Sequence, residues 1–259
     1  MPFASPSGPP RGPISTAARV VFSFAVFSTV AAPLIVLLLL LLPWRRRRLW
    51  LGGAAARLIA RPVLWVLGVR LEVDGGERIQ RGPPAIFLIN HSSSIDTFAS
   101  MALWPPLGCG VGKKEVIWIP LFGPAYVLTG HLRIDRSNSA SAIAAMKALV
   151  ATIQNLGLSP WIAPEGTRSH DGQLAPFKKG FAHLALATGL PCVPVVIHGA
   201  YALWPTPGFR MAPGTVKIEV LPPIPTADWS ADTLTDHVAE VRQVFADALE
   251  RGPGEGDAG

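Results

Sequence analysis

Between Arg19 and Arg45 the chain carries no charged side chain, and residues 20–44 read VVFSFAVFSTVAAPLIVLLLLLLPW. About 20 apolar residues suffice for a helix to cross a bilayer, so the run predicts a membrane-inserted helix. Pro33 kinks such a helix, which lipid-embedded helices tolerate. Four arginines, Arg45 to Arg48, follow at once, flanked by Trp44 and Trp50. Basic and aromatic residues closing an apolar run mark a cytoplasmic interface. A cleaved signal peptide is the competing reading, but its apolar core is only about 7–15 residues and its charge comes first. Residues 50–70 form a weaker apolar segment. Arg57 and Arg61 share one helix face there, with Leu64, Trp65 and Val66 on the apolar side. That pattern predicts a helix lying in the interface plane, with an ordinary core helix as the alternative. Whether the two segments span as a hairpin or dip into one leaflet stays open.

From residue 69 onward the period changes. Short β-branched or apolar runs at Arg70–Val73, Ala85–Ile89, Gly108–Val111, Trp161–Ala163, Val193–Ile197 and Val216–Val220 predict strands. Helical patterns lie between them at Ile95–Leu103, Ser139–Leu156, Lys179–Thr188 and Ala231–Leu249. Alternation of this kind predicts an α/β fold, a sheet flanked by helices. The Pro-, Ser- and Gly-rich start and the Gly-rich end predict disorder. The chain thus divides into a disordered start (1–16), anchoring helices (17–68), an α/β domain (69–251) and a disordered tail (252–259).

Composition sharpens the membrane reading. Charged residues are 15% of the 259, against roughly 25% in a soluble domain. The net charge of +6 implies an anionic partner. Basic residues are not interleaved with aromatics as single-strand binding requires, which argues against nucleic acid and for lipid. Cys109 and Cys192 lie far apart in apolar surroundings, so neither a disulfide framework nor a metal site is expected.

The sharpest chemistry follows the apolar run 85–89. There the sequence reads Asn90-His91-Ser92-Ser93-Ser94-Ile95-Asp96, at a strand end where α/β crevices form. On one continuous helix His91 and Asp96 would point about 140° apart, so a turn must separate them. The serines supply it, and Ser93 or Ser94 suits the cap of the next helix. Asp96 then receives the Nδ1 proton of His91 and leaves Nε2 as a base for a hydroxyl. The bland alternative makes both residues structural caps. A serine nucleophile is disfavoured, because no glycine-flanked elbow is present.

Three further blocks suit anions. Val111-Gly112-Lys113-Lys114-Glu115 leads through Pro120, Phe122, Gly123 and Gly130 to Ile134-Asp135-Arg136. Pro164-Glu165-Gly166-Thr167-Arg168-Ser169 is the second, and Phe177-Lys178-Lys179-Gly180 the third. Arg136 and Arg168 offer forked contacts to phosphate, Lys113 or Lys114 a point charge, and Gly166 a close backbone approach.

Taken in order, these blocks resemble the 1-acyl-sn-glycerol-3-phosphate acyltransferase family of glycerolipid acyltransferases. That family is marked by Asn-His with Asp after four intervening residues (the HX4D motif), by a Lys-rich block ending in Ile-Asp-Arg, by Pro-Glu-Gly-Thr-Arg-Ser and by Val-Pro-Val. Here they correspond to Asn90, His91 and Asp96; to Lys113 through Arg136; to Pro164–Ser169 in full; and to Val193-Pro194-Val195. The resemblance covers about 85–205. It departs at Ala163, where the family usually has Phe, so a changed pocket wall is expected.

The resemblance implies a mixed α/β sheet flanked by helices, behind a helical membrane anchor. It implies that His91 deprotonates the sn-2 hydroxyl of lysophosphatidic acid, which attacks the thioester of acyl-CoA or acyl carrier protein and gives phosphatidic acid. Asp96 would orient His91. Lys113, Arg136, Glu165, Gly166, Thr167 and Arg168 would form the acceptor site, with Glu165 orienting a basic side chain and an amide near Gly166 or a lysine meeting the oxyanion. Neither cofactor nor metal is expected. The partners are the lysophospholipid, the acyl thioester and membrane lipid, with the catalytic domain on the cytoplasmic side of the cell membrane. Three alternatives remain: another lysolipid acceptor such as lyso-ornithine lipid, a thioesterase, and a non-catalytic lipid-binding protein.

Overall fold

The computed structural model describes residues 13–134, 139–205, 207–208 and 210–252. The predicted disorder at 1–12 and 253–259 and the candidate Arg136 fall outside that set. Helix α1 (Pro13–Leu40) already includes residues 13–16, which shortens the expected disordered start. Proline is well placed there, since the first turn of a helix needs no amide hydrogen from it. A four-residue connection leads to α2 (Arg45–Leu67). Both helices are long and apolar enough to cross a membrane by length and composition.

The remaining chain alternates as its hydrophobic periods predict. Strands β1 (Val69–Asp74), β2 (Ile86–Ile89) and β3 (Gly108–Lys113) are separated by the short α3 (Glu77–Gln80) and by α4 (Ile95–Leu103). A 3-10 turn (Lys114–Trp118), α5 (Phe122–Thr129) and β4 (Leu132–Ile134) come next. Then follow α6 (Ser139–Leu156), β5 (Ser159–Ile162), α7 (Gly180–Thr188), β6 (Cys192–His198), the short α8 (Ala200–Leu203), β7 (Gly214–Val220) and α9 (Leu234–Arg251). Short elements carry no clear sequence signal: β4 is a three-residue edge strand, and α3, the 3-10 turn, α5 and α8 are too short for a period to show.

Among the described residues the strands form one sheet in the order β1-β7-β6-β2-β5-β3-β4. Every neighbouring pair is parallel except β6 with β7, so the sheet is mixed. Its two faces follow from the period of two along each strand. Phe87 and Ile89 of β2 enter a core shared with α1, α2 and α4. Ile86 and Leu88 enter the opposite core, built with α7 and α9. Cys109 and Cys192 are free, buried thiols, pushed up to about 12 chiefly by burial.

The N-terminal helices are part of this architecture and not a detachable anchor. Phe27 and Ala31 of α1 and Ile59, Val63 and Leu67 of α2 lie in the same core as Phe87 and Trp161 of the sheet. The interfacial reading of α2 is corrected in part. Leu64 and Val66 are buried, and Arg57 Nη1 donates to Trp104 O at 2.6 Å, while Leu58 and Trp65 remain exposed. The arginine tetrad divides as well. Arg45 Nη2 donates to Gly130 O at 2.9 Å and Arg48 Nη1 donates to Leu128 O. These two guanidinium groups satisfy carbonyls at the C-terminus of α5, where the helix's own amides have run out. Arg46 and Arg47 stay exposed, the latter stacked over Trp44 at 5.4 Å.

Candidate active site

Strand β2 stops at Ile89, but the chain stays fixed to its neighbour for one residue more. The Asn90 carboxamide acts as an extra ladder rung: Nδ2 donates to Ile197 O at 2.9 Å, and Oδ1 accepts from Ile197 N at 2.7 Å. His91 therefore leaves the sheet from a defined position. Asp96, in the first turn of α4, folds its carboxylate back over the loop. Its Oδ2 accepts from Ser92 N and Ser93 N, both at 2.7 Å, and lies 3.0 Å from His91 Nδ1. Oδ2 is thus an acceptor toward the loop, so the imidazole nitrogen facing it is the one that donates and Nε2 is left as acceptor. The Asp96 side chain is 1% exposed and that of His91 23%. The imidazole is therefore partly open to solvent while the carboxylate is shielded from it.

The capping expectation is corrected here. Ser94 makes no cap bond, and Ser93 Oγ accepts only from Ile95 N at 3.2 Å while donating to Trp204 O at 2.8 Å. The carboxylate instead closes the loop before the helix, from a first-turn position where negative charge is favoured by the dipole.

A second carboxylate holds the same loop from behind. Glu165, 3% exposed, accepts from His91 N through Oε1 at 2.7 Å and from Ala175 N through Oε2 at 3.0 Å. Ser169 N donates to His91 O at 2.8 Å, so the 165–169 segment grips both polar atoms of the His91 backbone. Burial lifts the Glu165 carboxyl above its ordinary range, outweighing the two amide hydrogen bonds that lower it. The expected role of Glu165 at a basic side chain or at the substrate is corrected: its oxygens lie in the interior on backbone amides. Gly166 adopts φ 76°, and its N–H donates to Ala163 O at 3.0 Å, closing the turn. A side chain would be strained there, and the amide expected for an oxyanion already has an acceptor.

Arg168 reaches the mouth of the site, its Nη1 donating to Ser94 Oγ at 2.6 Å, with Thr167 exposed beside it. Lys113 ends β3 on the same sheet, its side chain outside the described set. Lys179 bonds Thr235 Oγ1 on α9 at 2.8 Å.

Two cavities meet at His91. One, of about 230 Å³, is mostly apolar, walled by Phe27, Ile59, Met101, Trp104, Phe122 and Ala163, with Thr97 and Ser100 near His91. Ala163 does stand on the pocket wall. The other, of about 520 Å³, is walled by Phe24, Thr97, Phe98, Ile119 and Phe122, with Ser94 and Arg168 beside His91. A greasy chain fits the first and an anionic group the mouth of the second, with the imidazole between them.

Known proteins resemble this chain in sequence and fold. A family model described as Acyltransferase matches residues 70–198. A 1-acyl-sn-glycerol-3-phosphate acyltransferase from Limnanthes douglasii is 45% identical over 195 residues, 75% of this chain and 69% of the relative. The chain belongs to the 1-acyl-sn-glycerol-3-phosphate acyltransferase family. Another member, from Salmonella typhimurium, is 37% identical over 180 residues, 70% of this chain and 73% of the relative. Among solved structures, the 1-acyl-sn-glycerophosphate (LPA) acyltransferase PlsC from Thermotoga maritima superposes with a TM-score of 0.70. It covers 93% of this chain and 100% of its own at 23% identity, and so shares the fold. The chain is accordingly an acyltransferase enzyme. The matched segment runs from β1 to the end of β6, leaving α1, α2, α8, β7 and α9 outside it.

In this acyltransferase His131 also lines the apolar cavity, a position no local sequence signal reveals. Its Nδ1 accepts from Gly110 N at 3.2 Å, and its ring lies 4.6 Å from that of Tyr126 and 5.5 Å from that of Trp104. Burial first, and then the Arg45 charge, hold its pKa down to about 4, so the ring is neutral in the folded protein. Unfolded, it titrates near 6.5. Between those values the unfolded chain binds the extra proton, so stability falls as pH drops from about 6.5 to about 4, by about 3 kcal/mol. Melting temperature measured across that window should decline in the native protein and decline less in His131→Phe. Some slope persists in the variant, because burial depresses His198 in the same direction.

Proposed function

We propose that this acyltransferase moves a fatty acyl group from acyl-CoA or acyl carrier protein to the sn-2 hydroxyl of lysophosphatidic acid, giving phosphatidic acid. The observation that carries the reading is the meeting of the two cavities at His91, one apolar and one with Arg168 at its mouth. The names of the relatives supply the acceptor class. In this mechanism His91 Nε2 takes the hydroxyl proton as the acceptor oxygen attacks the thioester carbonyl. Asp96 Oδ2 holds the ring and stabilises the imidazolium that forms. The tetrahedral intermediate then collapses: the C–S bond breaks, the thiolate leaves, and His91 returns the proton to sulfur. Arg168, with Lys113 and Arg136 from the neighbouring block, holds the acceptor phosphate and so positions the hydroxyl. Glu165 acts one step removed, by fixing the His91 backbone.

Membrane attachment belongs to the same proposal. Val21, Phe22, Val36, Leu39 and Leu40 of α1 are exposed, as are Trp44 and Trp50 at the hairpin end. Each CH₂ removed from lipid costs about 0.8 kcal/mol, so an enzyme seated on the bilayer avoids extracting its acceptor fully. Exposed Arg46 and Arg47 face anionic headgroups on the cytoplasmic side.

Purified protein offered lysophosphatidate and a thioester should yield phosphatidate by lipid mass spectrometry. Release of free fatty acid alone would overturn the reading. Arg168→Ala should raise the KM for lysophosphatidate about tenfold, the effect of one charge-assisted hydrogen bond lost at a solvent-exposed position. The KM for the thioester should stay near its native value. A change confined to the thioester would remove Arg168 from the acceptor site.

A further inference from the structure

The wider cavity opens between two different walls. Val20, Phe24 and Phe27 of α1 form one, and Val116, Ile119 and Pro120, in and after the 3-10 turn, form the other. The elements forming both walls also carry large apolar side chains that are exposed among the described residues. On α1 these are Val21 and Phe22, and across the mouth they are Trp118, 80% exposed, and Ile119, 49% exposed. Exposed indole and branched aliphatic groups on the elements that wall a lipid-sized cavity are costly in water and at home at a bilayer border.

The second rim is held rigidly to the first. Leu121 has φ 59° and ψ −43°, and Phe122 N donates to Pro120 O at 2.6 Å, a γ-turn with positive φ that is strained for a leucine. The turn reverses the chain so that Trp118 and Ile119 project outward as α5 begins. Gly123 locks it, since a Cβ there would lie 2.2 Å from Ile117 O. On its far side α5 meets α1 through Phe122 and Phe27, ring centroids 6.3 Å apart. The exposed Trp118 and Ile119 thus lie on the segment leading directly into the helix that packs on α1.

We propose that the Trp118–Pro120 segment is a lipid-seated lip, inserting at the hydrocarbon border of the leaflet beside α1, so that the acceptor slides sideways from the leaflet into the cavity containing His91. The proposal rests on the acceptor being a membrane lysophospholipid. It adds a contact made by the sheet domain, independent of the two apolar helices. The occupant is a phospholipid leaflet because α1, the adjoining rim, carries an uncharged run long enough to enter one.

The test uses full-length protein in phosphatidylcholine–phosphatidylglycerol vesicles. Trp118→Cys carries an environment-sensitive fluorophore, and Ala239→Cys, exposed on α9 against the opposite core, carries the same label as reference. The native thiols are buried and do not compete for label. Brominated acyl chains in the vesicles should quench the label at 118 and leave that at 239 bright. No quenching at 118, or equal quenching at both, overturns the proposal whichever acceptor the enzyme takes.

A second readout uses Trp118→Ala. It should lose about tenfold in kcat/KM toward long-chain lysophosphatidate embedded in vesicles and nothing toward a short-chain acceptor dissolved as monomer. Equal loss toward both acceptors, or loss toward neither, also overturns it.

Discussion

His91→Ala is expected to leave a folded protein whose acyl transfer is slower by about 10²- to 10⁴-fold, the usual contribution of a positioned general base. The fold should survive because the polar contacts that hold the loop use backbone atoms. Glu165 receives the His91 amide and Ser169 donates to the His91 carbonyl, and both bonds outlast loss of the ring. Asp96 keeps its two serine amides as well. Loss should therefore fall on kcat, with the KM for either substrate little changed. Asp96→Asn is the informative companion. Its amide oxygen can still receive Ser92 and Ser93, but it lacks the charge that steadies an imidazolium. A kcat for His91→Ala close to native, with matching thermal melts, would remove the imidazole from the reaction.

Glu165→Ala carries the second large effect, and it falls on stability first. Removing the carboxylate strands the amides of His91 and Ala175 in partly buried surroundings. An unsatisfied buried amide costs about 1–3 kcal/mol, so the pair together cost about 2–5 kcal/mol after the relief of no longer burying a charge. For a chain of this size each kcal/mol shifts the melting temperature by about 2–4 °C. Glu165→Gln should lie between native and alanine, because a carboxamide presents one oxygen to two donors. Activity should fall in both variants as the His91 loop loses its register. A glutamine variant as active and as stable as the native protein would show that one amide needs no partner. Thermal melts followed by circular dichroism, with kcat measured well below the transition, separate the two effects.

These residues also show where sequence reasoning reached and where it stopped. The α4 range Ile95–Leu103 and the strand cores were legible because a period of 3.6 or 2 is written into consecutive residues. The meeting of His91 with Asp96 was legible because the serines between them suit a turn and the neighbouring motifs favoured that reading over two separate caps. Which group closes that turn was not, since serine and aspartate both suit a helix start and only the packed loop shows the carboxylate in place. Asn90 was visible as part of a motif, yet its bond to Ile197 spans 107 positions and no local pattern announces it. Glu165 was misread for the same reason. Beside Arg168 in sequence it suggested an ion pair, but the turn at Gly166 sends the two side chains opposite ways, one into the interior and the other to the mouth.

The amino-acid order by itself determined the α/β alternation, the apolar N-terminal helices, and the set of chemical groups available for acyl transfer. Each is a property of neighbours along the chain or of an ordered motif. Tertiary structure alone decided that α1 and α2 wall the cavities, that Arg45 and Arg48 cap α5, and that His131 faces an apolar pocket. Those outcomes depend on which surfaces exclude water together and which buried carbonyls still lack a donor. Such conditions arise between segments far apart in sequence and are satisfied only once the whole chain has packed.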